Sequence, residues 1–244
     1  MWDIERTTKR LIKAVETYGV SKTFVSTLST ANPDPETVDE MNGETHRLMM
    51  RYPQYVEGYV YVSPEHPNSL EVLEKGIEEQ GMCGVKVWVS EKCDSDKMNR
   101  LCERIIDYNV PILIHALKKS QGVAPPNESN SENIRNLALR YPEMKIIMAH
   151  ADGNCYYGVP NVRELKNVYV DISGRGNREG ELEYIVENLG EDRVLFGTDL
   201  SESSFCSPYS AVVSSELPDS VKRKILCENT LRIFDTKFRQ EVSK

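Results

Sequence analysis

The stretch Ile146-Ile147-Met148-Ala149-His150 carries the clearest structural signal in this chain, because a short and wholly apolar run ends on an imidazole. Two other stretches are similar: Ile112-Leu113-Ile114-His115 also ends on an imidazole, and Val194-Leu195-Phe196-Gly197-Thr198-Asp199 ends on a carboxylate. Apolar runs of this length are typical of parallel strands that are buried on both faces. A polar residue at the carboxyl end of each strand is the pattern of an active site at the mouth of a barrel.

Strands and helices alternate along the rest of the chain. Strand candidates lie at residues 22–28, 56–62, 84–89, 110–115, 145–150, 168–172 and 194–198. Helical patterns lie at 7–18, 36–51, 69–80, 95–108, 130–141 and 179–189, with a last helical pair near 218–235. This alternation predicts parallel βα units, and 244 residues are about the size of one (β/α)8 barrel. We therefore expect an α/β fold of TIM-barrel type and a single domain over residues 1–244.

The first strand of such a barrel is missing or degenerate in this sequence. A closed barrel of this kind has eight strands, and one should precede the helix at 7–18. Only residues 1–6 stand before that helix, and they are charged and too few for a buried strand. The strands at 22–28 and 194–198 would then have unpaired edges, which favour pairing with another chain. Homodimerisation or aggregation is therefore an expectation.

Composition excludes several other classes of protein. The chain has 30 basic and 38 acidic residues and a net charge of −8, which disfavours nucleic acid and anionic membranes as partners. Residues 1–6 lack the apolar core of a signal peptide, and no stretch approaches the roughly 18 apolar residues of a membrane span. The six cysteines form no C-x-x-C pair and are expected to be free thiols. We expect a cytoplasmic protein.

The strand ends supply the candidate site residues. His115 and His150 lie 35 residues apart, about one βα unit, so neighbouring strands would present them over the same opening. With Asp199 they form a set of imidazole and carboxylate groups that suits a divalent metal. Each has another interpretation: a lone strand histidine is more often a buried structural group, and Asp199 could cap the next helix. Lys86 could line the mouth, bind a carboxylate, or extend along the wall to solvent.

Three further polar residues are given ordinary roles. His46 falls on a helical pattern and His66 in a loop next to proline, where a solvated side chain is expected. Ser173 is assigned to turn chemistry rather than to a nucleophile, because no Gly-x-Ser-x-Gly motif surrounds it.

Taken together, an ordered set of motifs resembles the amidohydrolase-related family of metal-dependent barrels, which includes the aminocarboxymuconate semialdehyde decarboxylases. The motifs are Gly84-Val85-Lys86, Leu113-Ile114-His115, Met148-Ala149-His150-Ala151-Asp152-Gly153, Val168-Tyr169-Val170-Asp171-Ile172-Ser173-Gly174, Phe196-Gly197-Thr198-Asp199 and Glu228-Asn229-Thr230-Leu231-Arg232-Ile233-Phe234. The resemblance implies a (β/α)8 fold and one divalent metal, often zinc, that serves hydrolysis or non-oxidative decarboxylation. It implies that His115 and Asp199 bind the metal, that Asp199 also handles a proton, and that His150 polarises the substrate or orients water.

One departure from the family pattern is informative. Its members usually carry His-x-His at the end of the first strand, whereas none of the four histidines here are two apart. His115 and Asp199 alone are fewer than the three protein ligands of a catalytic zinc.

The leading hypothesis, by analogy with that family, is a metal-dependent hydrolase that cleaves a C–N, ester or lactone bond of a small-molecule substrate, with Asp199, His150 and Lys86 as catalytic residues. The alternatives are a non-oxidative decarboxylase, a metal-free pseudoenzyme or binding protein, and a metal-independent hydrolase with Asp199 as general base. The loops at 30–35, 118–130 and 201–210 would select the substrate.

Overall fold

The computed structural model describes residues 4–119, 124–174, 178–200 and 202–234. Its strands are β1 (Thr23–Val25), β2 (Val56–Tyr61), β3 (Gly84–Val87), β4 (Ile112–Ile114), β5 (Ile146–Met148), β6 (Val168–Asp171) and β7 (Val194–Leu195). They form one seven-stranded sheet in the order β1 to β7, and every neighbouring pair is parallel. The predicted α/β fold is confirmed: it is a TIM-type barrel that lacks one strand in the part of the chain described.

The helices lie between these strands as the alternation predicts. They are α1 (Ile4–Tyr18), α2 (Pro35–Arg51), α3 (Ser69–Glu74), α4 (Asn99–Tyr108), α5 (Ser131–Arg140), α6 (Cys155–Val162), α7 (Glu181–Leu189), α8 (Cys206–Ser214), α9 (Asp219–Arg223) and α10 (Asn229–Ile233). Two π-helical turns, Lys75–Glu79 and Lys224–Glu228, continue α3 and α9. Residues 4–6, predicted not to form a strand, begin α1, whereas residues 1–3 lie outside the described ranges.

Two helices contradict the sequence prediction. Helix α6 contains Gly158 and Pro160, which oppose helix formation, so the sequence does not predict a helix there. Helix α8 overlaps the segment 201–210, which is predicted from the sequence to be a loop. Its apolar side faces the core through Val212. Tertiary packing therefore overrides weak local propensity in both cases.

Alternation along the strands divides the apolar residues between two faces of the sheet. Val85, Ile112, Ile146 and Val194 belong to the large core cluster that packs against the helices. The opposite face points to the barrel interior and forms a second, smaller cluster. That cluster contains Tyr59, Ile147, Leu195, Ile233 and Phe234, with Phe24, Leu113 and Tyr169 among the partly buried residues around it.

Phe234, the residue that follows α10, fills part of the barrel interior. Phe234 follows α10 and stacks on Phe24 of β1 with ring centroids 4.1 Å apart, and its ring lies edge-on to Tyr59 at 5.7 Å. Burying an aromatic side chain contributes a few kcal/mol to stability. Phe234 thus takes up interior space beside β1, one of the two edge strands of the sheet.

The helical layer closes across the gap between β1 and β7. Tyr18 at the end of α1 stacks on Phe205 at 4.4 Å and contacts Tyr209 of α8 at 5.0 Å. Its hydroxyl lies 2.8 Å from the Cys206 thiol. Helix α1 and the start of α8 therefore pack directly against each other. No helix among the described residues has the length and apolar character needed to cross a membrane.

Candidate active site

Strand alternation positions Lys86 and His115 at the mouth of the barrel. Val85 and Val87 face the helices, so Lys86 between them faces the interior. His115 follows Leu113, an interior residue, by two positions, and its backbone N–H still donates to Val87 O at 3.1 Å. Strand alternation, which can be read from the sequence, therefore predicts the positions of Lys86 and His115.

His150 reaches the mouth by a different route. Ile146 and Met148 face the helices, so regular alternation would turn His150 outward as well. The backbone instead enters the left-handed region, with φ of 62° at His150, 45° at Ala151 and 65° at Asp152. The imidazole then lies beside His115, with ring centroids 5.1 Å apart. A non-glycine residue in this region costs about 1–2 kcal/mol, and such strain is concentrated at functional sites.

Asp171, the last residue of β6, and Ser173, which follows that strand, hold this turn in place. The His150 backbone N–H donates to Asp171 Oδ1 at 3.1 Å, and the Ser173 N–H donates to the same oxygen at 2.9 Å. The Ser173 hydroxyl also donates to Asp171 Oδ1 and lies 2.9 Å from His150 Nδ1. Ser173 makes the predicted turn contact, but sequence reasoning missed its link to His150. The Asp-x-Ser spacing at a strand end is the signal that could have identified it.

Two glycines leave room for these contacts. A Cβ on Gly174, whose φ is 82°, would lie 2.7 Å from His150 Nδ1. A Cβ on Gly197 would lie 3.1 Å from Ser173 Cβ and 3.2 Å from the Asp171 carboxyl carbon. Larger residues at either position would push apart the side chains that meet there.

Lys86 is buried, with 6% of its surface exposed. Burial lowers the pKa of Lys86 to about 8, although Asp171 and Asp199 act in the opposite direction. Its ammonium makes no hydrogen bond or ion pair within the described residues. The side chain does not extend to solvent, so that interpretation of the sequence is wrong. A buried ammonium group that has no direct partner, and whose pKa lies near neutral pH, is suited to binding an anionic ligand.

His115 is held as a neutral imidazole. Burial, with Lys86, His150 and Lys119 nearby, lowers its pKa to about 2. Its Nε2 lies 3.3 Å from Glu128 Oε1, a long contact that does not offset the burial. Because a carboxylate only accepts hydrogen bonds, Nε2 carries the hydrogen and Nδ1 the lone pair. Lys119 Nζ lies 3.4 Å from the other Glu128 oxygen.

Asp199 is exposed in the segment that follows β7, with φ of 50°. Its carbonyl accepts from the Ser203 N–H at 2.9 Å. It does not cap α8, whose N-cap residue is Phe205, so that alternative is wrong. His46 and His66 lie elsewhere, half-buried on α2 and between β2 and α3.

The predicted metal ligands do not complete a metal centre within the described residues. His115 and Asp199 supply two donors, and no group of three His, Cys, Asp or Glu side chains in those ranges could hold an ion. The Nε2 hydrogen of His115 and the ammonium of Lys86 also oppose a cation at this point. These residues alone therefore do not fit the expected metal.

The match to a protein family decides the classification. A family model described as amidohydrolase matches residues 2–236. The chain belongs to the amidohydrolase family. The resemblance predicted from the strand-end motifs is thus confirmed.

Solved structures of amidohydrolase-like proteins share this fold. A 2,6-dihydroxybenzoate decarboxylase from Rhizobium is 17% identical, with a TM-score of 0.73 over 92% of this chain and 87% of its own. A dihydroxybenzoic acid decarboxylase from Polaromonas, with bound manganese and 2-nitroresorcinol, is 18% identical, with a TM-score of 0.76 over 94% and 86%. A 5-carboxyvanillate decarboxylase from Sphingomonas paucimobilis is 18% identical, with a TM-score of 0.72 over 91% and 81%. No curated protein sequence matches the chain. At these identities the likeness shows the fold alone.

Proposed function

We propose that this chain is an enzyme that removes a carboxyl group from a small, hydroxylated aromatic acid without oxidation. The observation that carries the proposal is the Lys86 ammonium, which is buried at the mouth and has no direct partner in the described residues. An oxygen anion of the substrate would neutralise it. The names of the three neighbouring decarboxylases, which act on hydroxylated aromatic acids, support the reaction type.

The chain's own residues can carry the reaction. Lys86 binds an oxygen anion of the substrate and positions the ring for proton transfer. His150 in its protonated form gives the Nε2 proton to the carbon that bears the carboxylate. The C–C bond then breaks, its electron pair restores the aromatic ring, and CO2 leaves. Asp199, exposed at the mouth, returns a proton from solvent to His150. The balance is one carboxylate and one proton converted to one arene and one CO2.

A divalent metal stays a prediction for this chain. The manganese bound by the Polaromonas decarboxylase supports a divalent ion, and no comparison supports zinc in particular. The steps above use side chains only. Metal analysis of protein purified without chelator, compared with His115→Ala and Asp199→Ala, checks this prediction: about one ion per chain that both variants lose would place it at the mouth.

The proposal is tested by turnover. A panel of hydroxybenzoates labelled with 13C at the carboxyl group is incubated with the protein, and labelled CO2 is measured by mass spectrometry. We expect release from at least one member and a loss of kcat/KM of about 10- to 100-fold in Lys86→Met, the effect of one charge-assisted contact. Lys9→Met, on the exposed surface of α1, is the matched control. No release from any member, or equal rates in Lys86→Met and the control, would overturn the proposal.

Hydrolysis is the second candidate, as the leading prediction from the sequence. The Asp199 carboxylate favours it, because it is exposed and makes no side-chain hydrogen bond within the described residues. It could therefore deprotonate an attacking water. Turnover of an ester or lactone that Asp199→Asn abolishes, with no release of CO2 from the acids, would select this function.

The homodimer and the cytoplasmic location remain predictions. Light scattering tests the homodimer.

A further inference from the structure

The contacts around Ser173 fix where its hydrogen lies. Asp171 Oδ1 accepts from the Ser173 hydroxyl, and a carboxylate has no hydrogen to give. Ser173 has a single hydroxyl hydrogen, so this hydrogen is used in that bond. Its oxygen can then act only as an acceptor toward His150 Nδ1, 2.9 Å away. The alternative, with the hydroxyl donating to His150, would leave two oxygens in close contact with no hydrogen between them.

The position of the Ser173 hydrogen determines the tautomer of His150. If Nδ1 donates to Ser173, the neutral ring carries its hydrogen on Nδ1, and Nε2 has the lone pair. Nε2 makes no hydrogen bond within the described residues. We infer that Asp171 and Ser173 are positioning residues, which hold His150 in the Nδ1–H tautomer and leave Nε2 as the ring nitrogen that exchanges protons with a ligand.

The surroundings support a built arrangement rather than a chance contact. Asp171 and Ser173 are 7% and 6% exposed, so water competes little for their hydrogen bonds. The same Asp171 oxygen also accepts from the His150 backbone, which ties the left-handed turn to the hydrogen bond of its ring. Gly174 and Gly197 supply the space on both sides. The segment at the end of β6 therefore holds the imidazole, and Gly197 after β7 leaves room for Asp171 and Ser173.

The neighbouring His115 carries its hydrogen on the other ring nitrogen. There Nε2 bears the hydrogen because Glu128 can only accept, which leaves the lone pair on Nδ1. Two adjacent imidazoles in opposite tautomers give the inference an internal comparison.

The tautomers can be read by long-range 1H–15N correlation spectra of the 15N-labelled full chain, at a pH where the imidazoles are neutral. His150→Gln and His115→Gln assign the two rings. We expect Nδ1–H for His150 and Nε2–H for His115 in the wild-type protein. In Ser173→Ala the tautomer ratio of His150 should move toward Nε2–H by roughly fivefold to tenfold, the change expected when one hydrogen bond is lost. Ser173→Thr keeps the hydroxyl and should restore the wild-type pattern.

An Nε2–H tautomer of His150 in the wild-type protein would overturn the inference, and that result needs no variant to fold. An unchanged ratio in Ser173→Ala, with His46 and His66 also unchanged, would overturn it as well. The catalytic consequence rests on the proposed function, whereas the tautomer does not. If turnover is found, Ser173→Ala should lower kcat by about 100-fold with little change in KM. Absence of turnover with the expected tautomers would defeat the proposed function and leave this inference standing.

Discussion

At the scale of single residues, the mouth of the barrel combines groups that are costly to bury. Lys86 has few compensating contacts, and its pKa of about 8 reflects that cost. Asp152, fully buried behind the site, has a pKa raised to about 6, because burial outweighs the help of Ser131 and Lys118. Neither of its carboxylate oxygens meets the geometry of a hydrogen bond within the described residues.

The first prediction concerns Lys86 and pH. The folded state binds the Lys86 proton less tightly than the unfolded state, so its burial penalty is fully present below pH 8 and disappears as the pH rises to 10.5. Lys86→Met should therefore be more stable than the wild type at pH 7 by up to about 3 kcal/mol, and this gain should shrink toward pH 10. Urea unfolding of both proteins at several pH values checks it, with Lys9→Met as the control. A gain that is independent of pH would contradict the prediction.

A second prediction concerns Asp152. Its folded-state pKa lies above the unfolded value, so its charge destabilises the protein as the pH rises from 3.8 through 6. The free energy of unfolding of the wild type should fall as the pH rises from 4 to 7. Asp152→Asn should reduce this fall by an amount on the order of 1–3 kcal/mol. Thermal unfolding across that range measures the effect. If the two proteins lose stability in parallel, the carboxylate is not the cause.

At the scale of elements, the left-handed turn from His150 to Gly153 is the feature that the sequence could not reveal. Alternation along β3 and β4 predicts the interior placement of Lys86 and His115. The same rule applied to β5 would place His150 among the helices. Its actual position depends on Asp171 of a different strand, a tertiary contact that no local period encodes.

Gly174 allows a matched test of that turn. Its φ is 82°, and an added Cβ would collide with His150 Nδ1. Gly19 has a φ of 65°, but nothing lies within 4 Å of its Cβ position, so alanine there adds only backbone strain. We expect Gly174→Ala to destabilise the protein by about 1–3 kcal/mol more than Gly19→Ala. Chemical unfolding measures the stability of both variants. Equal losses of unfolding free energy would mean that the side chain of His150 moves aside for the added Cβ at no energetic cost.

Arg193 joins several elements on the outer side of the sheet. Its guanidinium is buried and donates to Leu165 O at 2.7 Å and to Leu189 O at 3.0 Å, with further carbonyls within reach. A lysine cannot reproduce this planar set of donors. Arg193→Lys should cost about 2–4 kcal/mol in unfolding free energy, whereas Arg163→Lys, on an exposed side chain, should cost less than about 0.5 kcal/mol. Similar values for both would refute the structural role of Arg193.

At the scale of the whole molecule, the fold was largely predictable and its closure was not. Seven apolar runs with helices between them predicted the parallel order of β1 to β7. The sequence did not indicate that Phe234 enters the interior beside β1, or that Tyr18 packs on α8. Both are contacts between residues far apart in the chain, and neither has a local signature.

Closure by Phe234 has a measurable consequence. Phe234→Ala removes a ring that packs on Phe24 and Tyr59, so it should destabilise the protein by about 3–5 kcal/mol. Leu139→Ala, at a position that is 57% exposed, should have little effect. Equal stability of the two variants would show that the Phe234 ring does not contribute to the packing of the interior.

The central claim is that the charge of Lys86 binds an anionic substrate at the mouth of the barrel. Calorimetric titration with 2,6-dihydroxybenzoate between pH 7 and pH 9, for the wild-type protein, Lys86→Met and Lys9→Met, tests it most directly. We predict that the affinity of the wild type and of Lys9→Met falls about tenfold over this range as Lys86 loses its proton, and that Lys86→Met binds weakly with no such dependence. Binding by Lys86→Met that equals the wild type at pH 7 would contradict the account.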